Sequence, residues 1–201
     1  TGREIDDPLD CFHDHGRRPI QAVPKTWARV YQTTVGLPLE WRTTMEEGIM
    51  RVYLSGPMFS LADQEYNLRL ADKVRALGFE VYCPNESEPI NNKERPEITA
   101  RMIYEWDIAE LENCNVVLCQ LSEDSGTNWE AGYFDCLCKY VDPQRYWGIV
   151  GHASDMRFKS PPHPDKHGVD NQAGNANALV IGGFQQSLGV YLYESEVLAR
   201  L

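Results

Sequence analysis

Three acids stand where this chain could do chemistry. In "SEDSGTNWEAGY", Ser122 to Tyr133, Asp124 and Glu130 lie six residues apart, bridged by a Ser-Gly-Thr turn and preceded by the apolar run "NVVLCQL". Asp107 falls within "YEWDIAELE", a stretch with helical patterning. A carboxylate in the first turn of a helix is favoured in its charged form by the positive dipole end and the nearby amides. An ionised, fixed carboxylate is what attack at the anomeric carbon of a sugar requires. Glu130 fits that reading and also a plainer one. Thr127-x-x-Glu130 matches a capping box, in which Thr127 caps the helix and Glu130 reaches back to the cap amide. Asp124 is either a turn-forming residue or a polar contact to a substrate. Asp107, a poor helix former, either faces solvent or is aimed at a cleft as a general acid. Together the three would supply a nucleophile, an acid and a hydroxyl-binding group.

The elements that must position these acids follow from periodicity. "RVYL" reads as a buried strand ended by Gly56-Pro57. "SLADQEYNLRLADKVRALGF" reads as a helix capped by Ser60 and stopped by Gly78. "FEVYCP" is a second strand, "ERPEITARMIYEWDIAELENC" a second helix and "NVVLCQL" a third strand. "TNWEAGYFDCLCKY" follows as a helix, "RYWGIVG" as a fourth strand, and residues 152–172 as a long loop. A helix in "GNANALVIGGFQQSL", a strand in "GVYLY" and a helix in "ESEVLARL" complete the chain. Alternating strands and helices predict an α/β fold: a flavodoxin-like, doubly wound sheet of about five parallel strands with helices on both faces. Ligands of such sheets sit beyond the carboxyl ends of the strands. That brings together the loops "SGPMFS", "PNESEP" and "SEDSGTNWE". Neither a Gly-x-Gly-x-x-Gly turn nor a Walker A loop is present, so no dinucleotide or P-loop site is expected.

Composition narrows the classes. The chain has 201 residues, 42% hydrophobic and 24% charged, enough to bury one core. Its net charge of −11 and lack of Lys/Arg runs argue against binding a nucleic-acid polymer. No stretch of 18 apolar residues and no leader pattern occurs, so neither a membrane span nor a signal peptide is expected. The six cysteines (Cys11, Cys83, Cys114, Cys119, Cys136 and Cys138) show no paired metal spacing and suggest a reducing, cytoplasmic setting. Residues 1–49 are polar, Pro-punctuated and aperiodic, and read as an extension of unknown role before a domain at 50–201. Cys11, His13 and His15 lie in that segment with poor metal-ligand spacing. His163 and His167 are four apart, but Pro164 and Gly168 argue against the helix that would align them. Tyr104, Trp106 and Trp129 fit a core or interface role better than a stacking platform.

The segments "VYLSGPMF", "YEWDIAELENCNVVLCQL", "EDSGTNWEAGY", "SDMR" and "NANALV" resemble the nucleoside 2-deoxyribosyltransferase family in order, over roughly residues 50 to 201. The resemblance implies that Glu130 is a nucleophile forming a covalent 2-deoxyribosyl-enzyme, and that Asp107 faces the nucleobase and protonates it as it leaves. It further implies that Asp124 contacts the deoxyribose hydroxyls and that Tyr53 orients the nucleophile. Asn177 would reach the sugar of a neighbouring site in a homo-oligomer. Gly56, Pro57, Met58 and Phe59 would form the substrate loop, with Met58 and Phe59 walling the base, and Glu88 would be nearest to a base-edge contact. The substrates would be deoxyribonucleosides and free nucleobases, with no metal or organic cofactor. The pattern departs from the family at the C-terminus, where "ESEVLARL" offers no equivalent of the usual closing residues, and across 152–172, which leaves Asp155 and Arg157 unplaced. Two rivals remain. One is a nucleoside or nucleoside 5′-monophosphate N-glycosidase, although "SGPMFS" offers Ser55 and Ser60 but no Arg for a phosphate. The other is a non-catalytic nucleotide-binding module, against which the three acids argue.

Overall fold

The structure, a computed structural model, describes residues 50–87, 91–92, 94–159, 164–165 and 177–201. Five strands, β1 (Arg51–Ser55), β2 (Glu80–Tyr82), β3 (Val116–Gln120), β4 (Gly148–His152) and β5 (Gly189–Tyr191), pair in parallel in the order β2-β1-β3-β4-β5. The helices are α1 (Leu61–Ala76), α2 (Ala100–Glu112), α3 (Ser125–Cys136), α4 (Ala178–Gln185) and α5 (Glu194–Leu198). This is the doubly wound arrangement expected, and its strand order reverses between β1 and β3. The carboxyl ends of those two strands therefore flank the crevice where such sheets bind ligands.

A parallel strand covered on both faces should be apolar throughout, and β3 and β4 are buried at every position. The two-residue alternation of side chains divides the core into two layers. Val52, Leu54, Val116 and Leu118 pack against Leu70, Ala71 and Val74 of α1 and Val197 of α5. Tyr53, Val117 and Cys119 point the other way, against Leu111 of α2, Ala131 and Phe134 of α3 and Phe184 of α4. Residues 53, 55, 117 and 119 thus share the face on which α2 and α3 lie.

Helix ends fall where local chemistry sets them. Ser60 caps α1, its hydroxyl accepting from the Asp63 amide at 3.1 Å, and Gly78 leaves the helix at φ +95°, a conformation costly for other residues. The second helix begins later than its pattern suggests, at Ala100, because Pro96 interrupts the stretch and Thr99 supplies the cap. The fourth strand begins at Gly148 rather than Arg145. The third helix starts earlier than expected, at Ser125, and passes into a π-helical turn at Leu137–Val141. Cys83, Cys114 and Cys119 are buried free thiols, and Cys136 and Cys138 are also unpaired. Tyr104, Trp106 and Trp129 are exposed, which removes the core reading for all three. Cys11, His13, His15, His163 and His167 lie outside the described residues. Among the described residues no helix is long and apolar enough to cross a membrane.

Candidate active site

The start of α3 decides the role of Glu130. The helix is capped by Asp124, not Thr127: Asp124 Oδ2 accepts from the Thr127 amide at 2.8 Å and from its hydroxyl at 2.7 Å. Thr127 therefore occupies the third helical position, and Glu130 sits a full turn further in, beyond reach of the cap amide. The capping-box reading of Thr127 and Glu130 fails for that reason. Glu130 instead turns toward the carboxyl end of β1. The Tyr53 hydroxyl donates to Oε1 at 2.9 Å and the Ser55 hydroxyl donates to Oε2 at 2.5 Å.

Burial is the main cause that lifts the Glu130 carboxyl from 4.5 to about 7; the Ser55 and Tyr53 donors oppose it, while the charges of Asp107 and Asp124 add to it. Asp107, half-buried on α2, is raised from 3.8 to about 6, first by burial and then by the charge of Glu110. Tyr53 is buried, and desolvation together with the Glu130 charge holds it protonated, so that it acts as a donor. Its ring lies 5.1 Å from that of Tyr82, whose oxygen accepts from Trp106 Nε1 at 2.9 Å and from Ser87 at 3.1 Å. These contacts fix the tyrosine pair beneath the cleft and tie α2, which carries Asp107, to the end of β2. Two carboxyl groups raised into the neutral range, close enough to repel one another, can divide the work of an acid and a nucleophile.

The strand-1 loop is held by α1. Asn67, buried on α1, donates to the Pro57 carbonyl at 2.9 Å and to Asn85 Oδ1 at 3.1 Å, joining the loops after β1 and β2. Gln64 donates to the Met58 carbonyl at 2.8 Å. A side chain at Gly56 would meet Asn67 Oδ1 at 2.8 Å and Gln120 Oε1 at 3.3 Å, so one there would displace the Asn67 amide that holds the loop. Met58 is half-buried and Phe59 is exposed. Asn177 caps α4, its Oδ1 accepting from the Leu179 amide at 2.9 Å, and lies exposed on its own chain. Asp155 and Arg157 form a surface ion pair at 2.5 Å. Glu88 lies outside the described residues. Among the described residues no three His, Cys, Asp or Glu side chains converge to hold a metal ion.

Geometry thus unites Tyr53, Glu130, Asp107 and Asp124 and adds two residues that sequence reasoning missed: Ser55 as a partner of Glu130, and Asn67. Ser55 carried a signal, because a residue two beyond Tyr53 on a strand must share its face. Asn67 carried none, being one polar position in a mostly polar helix.

A family model described as nucleoside 2-deoxyribosyltransferase matches residues 52–151. Among solved structures, the fold resembles a conserved protein from Enterococcus faecalis at 23% identity, with a TM-score of 0.61, covering 76% of this chain and 97% of that one. It also resembles a 2-deoxyribosyltransferase from the psychrotolerant bacterium Bacillus psychrosaccharolyticus at 14% identity, with a TM-score of 0.52, covering 74% and 90%. No curated protein sequence matches the chain.

Proposed function

The chain belongs to the nucleoside 2-deoxyribosyltransferase family, and on that premise we propose that it transfers 2-deoxyribose from one nucleobase to another by double displacement, with Glu130 as the nucleophile. One observation carries this reading. Glu130 does not serve its own helix; it is turned to the crevice end of β1 with both oxygens held by buried donors. In the first half-reaction a Glu130 oxygen bonds to C1′ as the glycosidic bond breaks. The electron pair of that bond leaves with the base, which takes the Asp107 proton. The charge developing on the sugar ring resembles an oxocarbenium ion, which the absence of an electron-withdrawing 2′-hydroxyl makes easier to form. In the second half-reaction a nitrogen of another base attacks C1′, the ester bond breaks, and Glu130 regains its charge while Asp107 regains a proton. Exclusion of water while the second base is bound would favour transfer over hydrolysis.

Asp124 serves as a helix cap through Oδ2, and Oδ1, with no partner seen among the described residues, is assigned to the sugar hydroxyls. Asn177 spends its oxygen on the α4 cap, which leaves its amide hydrogens for the sugar of a neighbouring protomer in a homo-oligomer. Gly56, Pro57, Met58 and Phe59 form the loop over the base. Residues 1–49 are assigned no part in the reaction.

The test is a base-exchange panel combined with intact and peptide mass spectrometry. Incubation with a deoxynucleoside alone should give a 2-deoxyribosyl adduct on the peptide containing Glu130. Addition of a second free base should discharge it to a new nucleoside. Free base released at the same rate with or without the acceptor, and no new nucleoside, would instead assign the protein as an N-glycosidase.

A further inference from the structure

We propose that Ser55 is a positioning residue for Glu130, and that this buried pair of donors, Ser55 and Tyr53, sets which carboxylate geometry meets the sugar. The inference rests on the assignment of Glu130 as nucleophile and adds a residue to it. Ser55 has a single hydroxyl proton and two acceptors within range, Glu130 Oε2 at 2.5 Å and the Thr127 carbonyl at 3.4 Å. The shorter, charge-assisted bond takes the proton. Beside Ser55 on the neighbouring strand lies Cys119, wholly buried, which leaves Ser55 no room to swing away from Glu130.

The sheet builds this arrangement. Ser55 and Cys119 are register partners across β1 and β3, and Tyr53 lies two residues before Ser55 on the same face. Two points of one sheet face thus line up under α3, Tyr53 on one oxygen of Glu130 and Ser55 on the other, with Cys119 beside Ser55 on the next strand. A carboxylate tied at one oxygen can still swing about that bond, whereas one tied at both is fixed in plane and direction. Ser55 is fully buried, so its hydroxyl is satisfied by the contact it makes rather than by bulk water.

The groups facing Glu130 are Tyr53 and Ser55 from β1, Cys119 from β3, Asp107 from α2 and Asp124 from the start of α3. Loss of the Ser55 donor destabilises the charged form of Glu130 and raises its affinity for a proton. Glu130 is the weaker acid of the Glu130–Asp107 pair, so it governs the alkaline side of the rate profile. The working state, with charge on Glu130 and a proton on Asp107, then becomes rarer at every pH.

The experiment measures kcat/KM for base exchange against pH in wild type, Ser55→Ala and Ser55→Thr. In parallel, the Glu130 carboxyl carbon is titrated by NMR in glutamate-labelled protein and assigned by its absence in Glu130→Gln. Ser55→Ala should move the alkaline limb and the NMR midpoint of Glu130 upward by about one pH unit and lower the rate maximum by about tenfold. The loss should fall on kcat rather than KM. Ser55→Thr, which keeps the hydroxyl, should restore most of the midpoint. A Ser55→Ala protein that melts as a folded domain but has an unmoved limb and midpoint overturns the proposal, as does a Ser55→Thr protein shifted as far as Ser55→Ala. The NMR titration needs no turnover. A shifted midpoint in a protein that forms no Glu130 adduct would therefore sink the transferase reading while leaving the Ser55 contact standing.

Discussion

The starts of α1 and α3 look alike as sequence and behave as opposites. "SLAD" at Ser60 and "TNWE" at Thr127 each place a hydroxyl residue three positions before an acid. At α1 the motif closes on itself: the Ser60 hydroxyl accepts from the Asp63 amide, and Asp63 Oδ2 accepts from the Ser60 amide at 3.4 Å and from its hydroxyl at 2.6 Å. All of this is exposed, and Asp63 does nothing beyond finishing the helix. At α3 the chain has already entered the helix by Thr127 because Asp124, coming straight off β3, captures the Thr127 amide first. Glu130 is released from capping and delivered to Tyr53 and Ser55. The pair teaches that a capping box is settled by where the chain enters the helix, and at α3 the end of a central strand makes that choice.

The sharpest way to break the comparison is to remove each acid in turn. Glu130→Ala should lower base exchange by about 10³-fold or more, as expected for a group that forms the covalent bond. Asp63→Ala should leave exchange within about twofold, measured as kcat/KM on the same substrate pair. An active Glu130→Ala enzyme would return Glu130 to the company of Asp63 as a structural acid.

Tyr53→Phe keeps the ring contact with Tyr82 and removes only one donor from a charged acceptor. It should reduce kcat by about tenfold to a hundredfold, the equivalent of about 1.5–3 kcal/mol, with KM little changed. A rate equal to wild type would show that Oε1 needs no partner.

The pH dependence sharpens the contrast. Glu130 must be charged and Asp107 protonated, and the pair titrates at about 7 and about 6. Exchange should therefore follow a narrow bell with its maximum between about pH 6 and 7 and with apparent values that belong to the pair. A flat profile from pH 5 to 9 would refute the division of labour.

Stability separates the two acids by sign. The folded-state affinity of Glu130 for its proton is raised, from 4.5 to about 7, so its contribution is fully present below about pH 4.5 and is lost as pH rises through 7. Glu130→Gln should then be more stable than wild type at pH 8, by about 1–3 kcal/mol, and gain little at pH 4. Asp63→Ala should be less stable by about 1 kcal/mol, the usual value of a helix cap. Urea midpoints at both pH values read the two effects together, and a Glu130→Gln protein weakened at pH 8 would mean that the charge at 130 supports the fold.

Much of the architecture was legible because it depends on local periods. The runs "RVYL" and "NVVLCQL" are short, β-rich and bounded by turn residues, as buried strands are, and Ser60 and Gly78 fix the ends of α1 by hydrogen bonding and by a positive φ. The candidate acids were legible as types. What failed was register by a few residues: Thr127 was read as the cap when Asp124, three residues earlier, makes a better one through a charge-assisted bond. Ser55 entered only as a candidate phosphate ligand, because nothing local says what a strand hydroxyl faces. Tyr104, Trp106 and Trp129 fit a core or interface role by type; all three are exposed on this chain, although the Trp106 indole still reaches the buried Tyr82.

By itself, the sequence determined the alternating elements, the parallel sheet and the identity of the acids, since propensity, two-residue and 3.6-residue patterning, and turn residues all act over a few positions. Only the tertiary structure decided which acid caps and which faces the crevice. Tyr53 and Ser55 are 77 and 75 residues from Glu130 along the chain, and Cys119 meets Ser55 only through the pairing of β1 with β3. Contacts of that separation depend on strand order and register, which are fixed by the joint burial of both sheet faces rather than by any one segment.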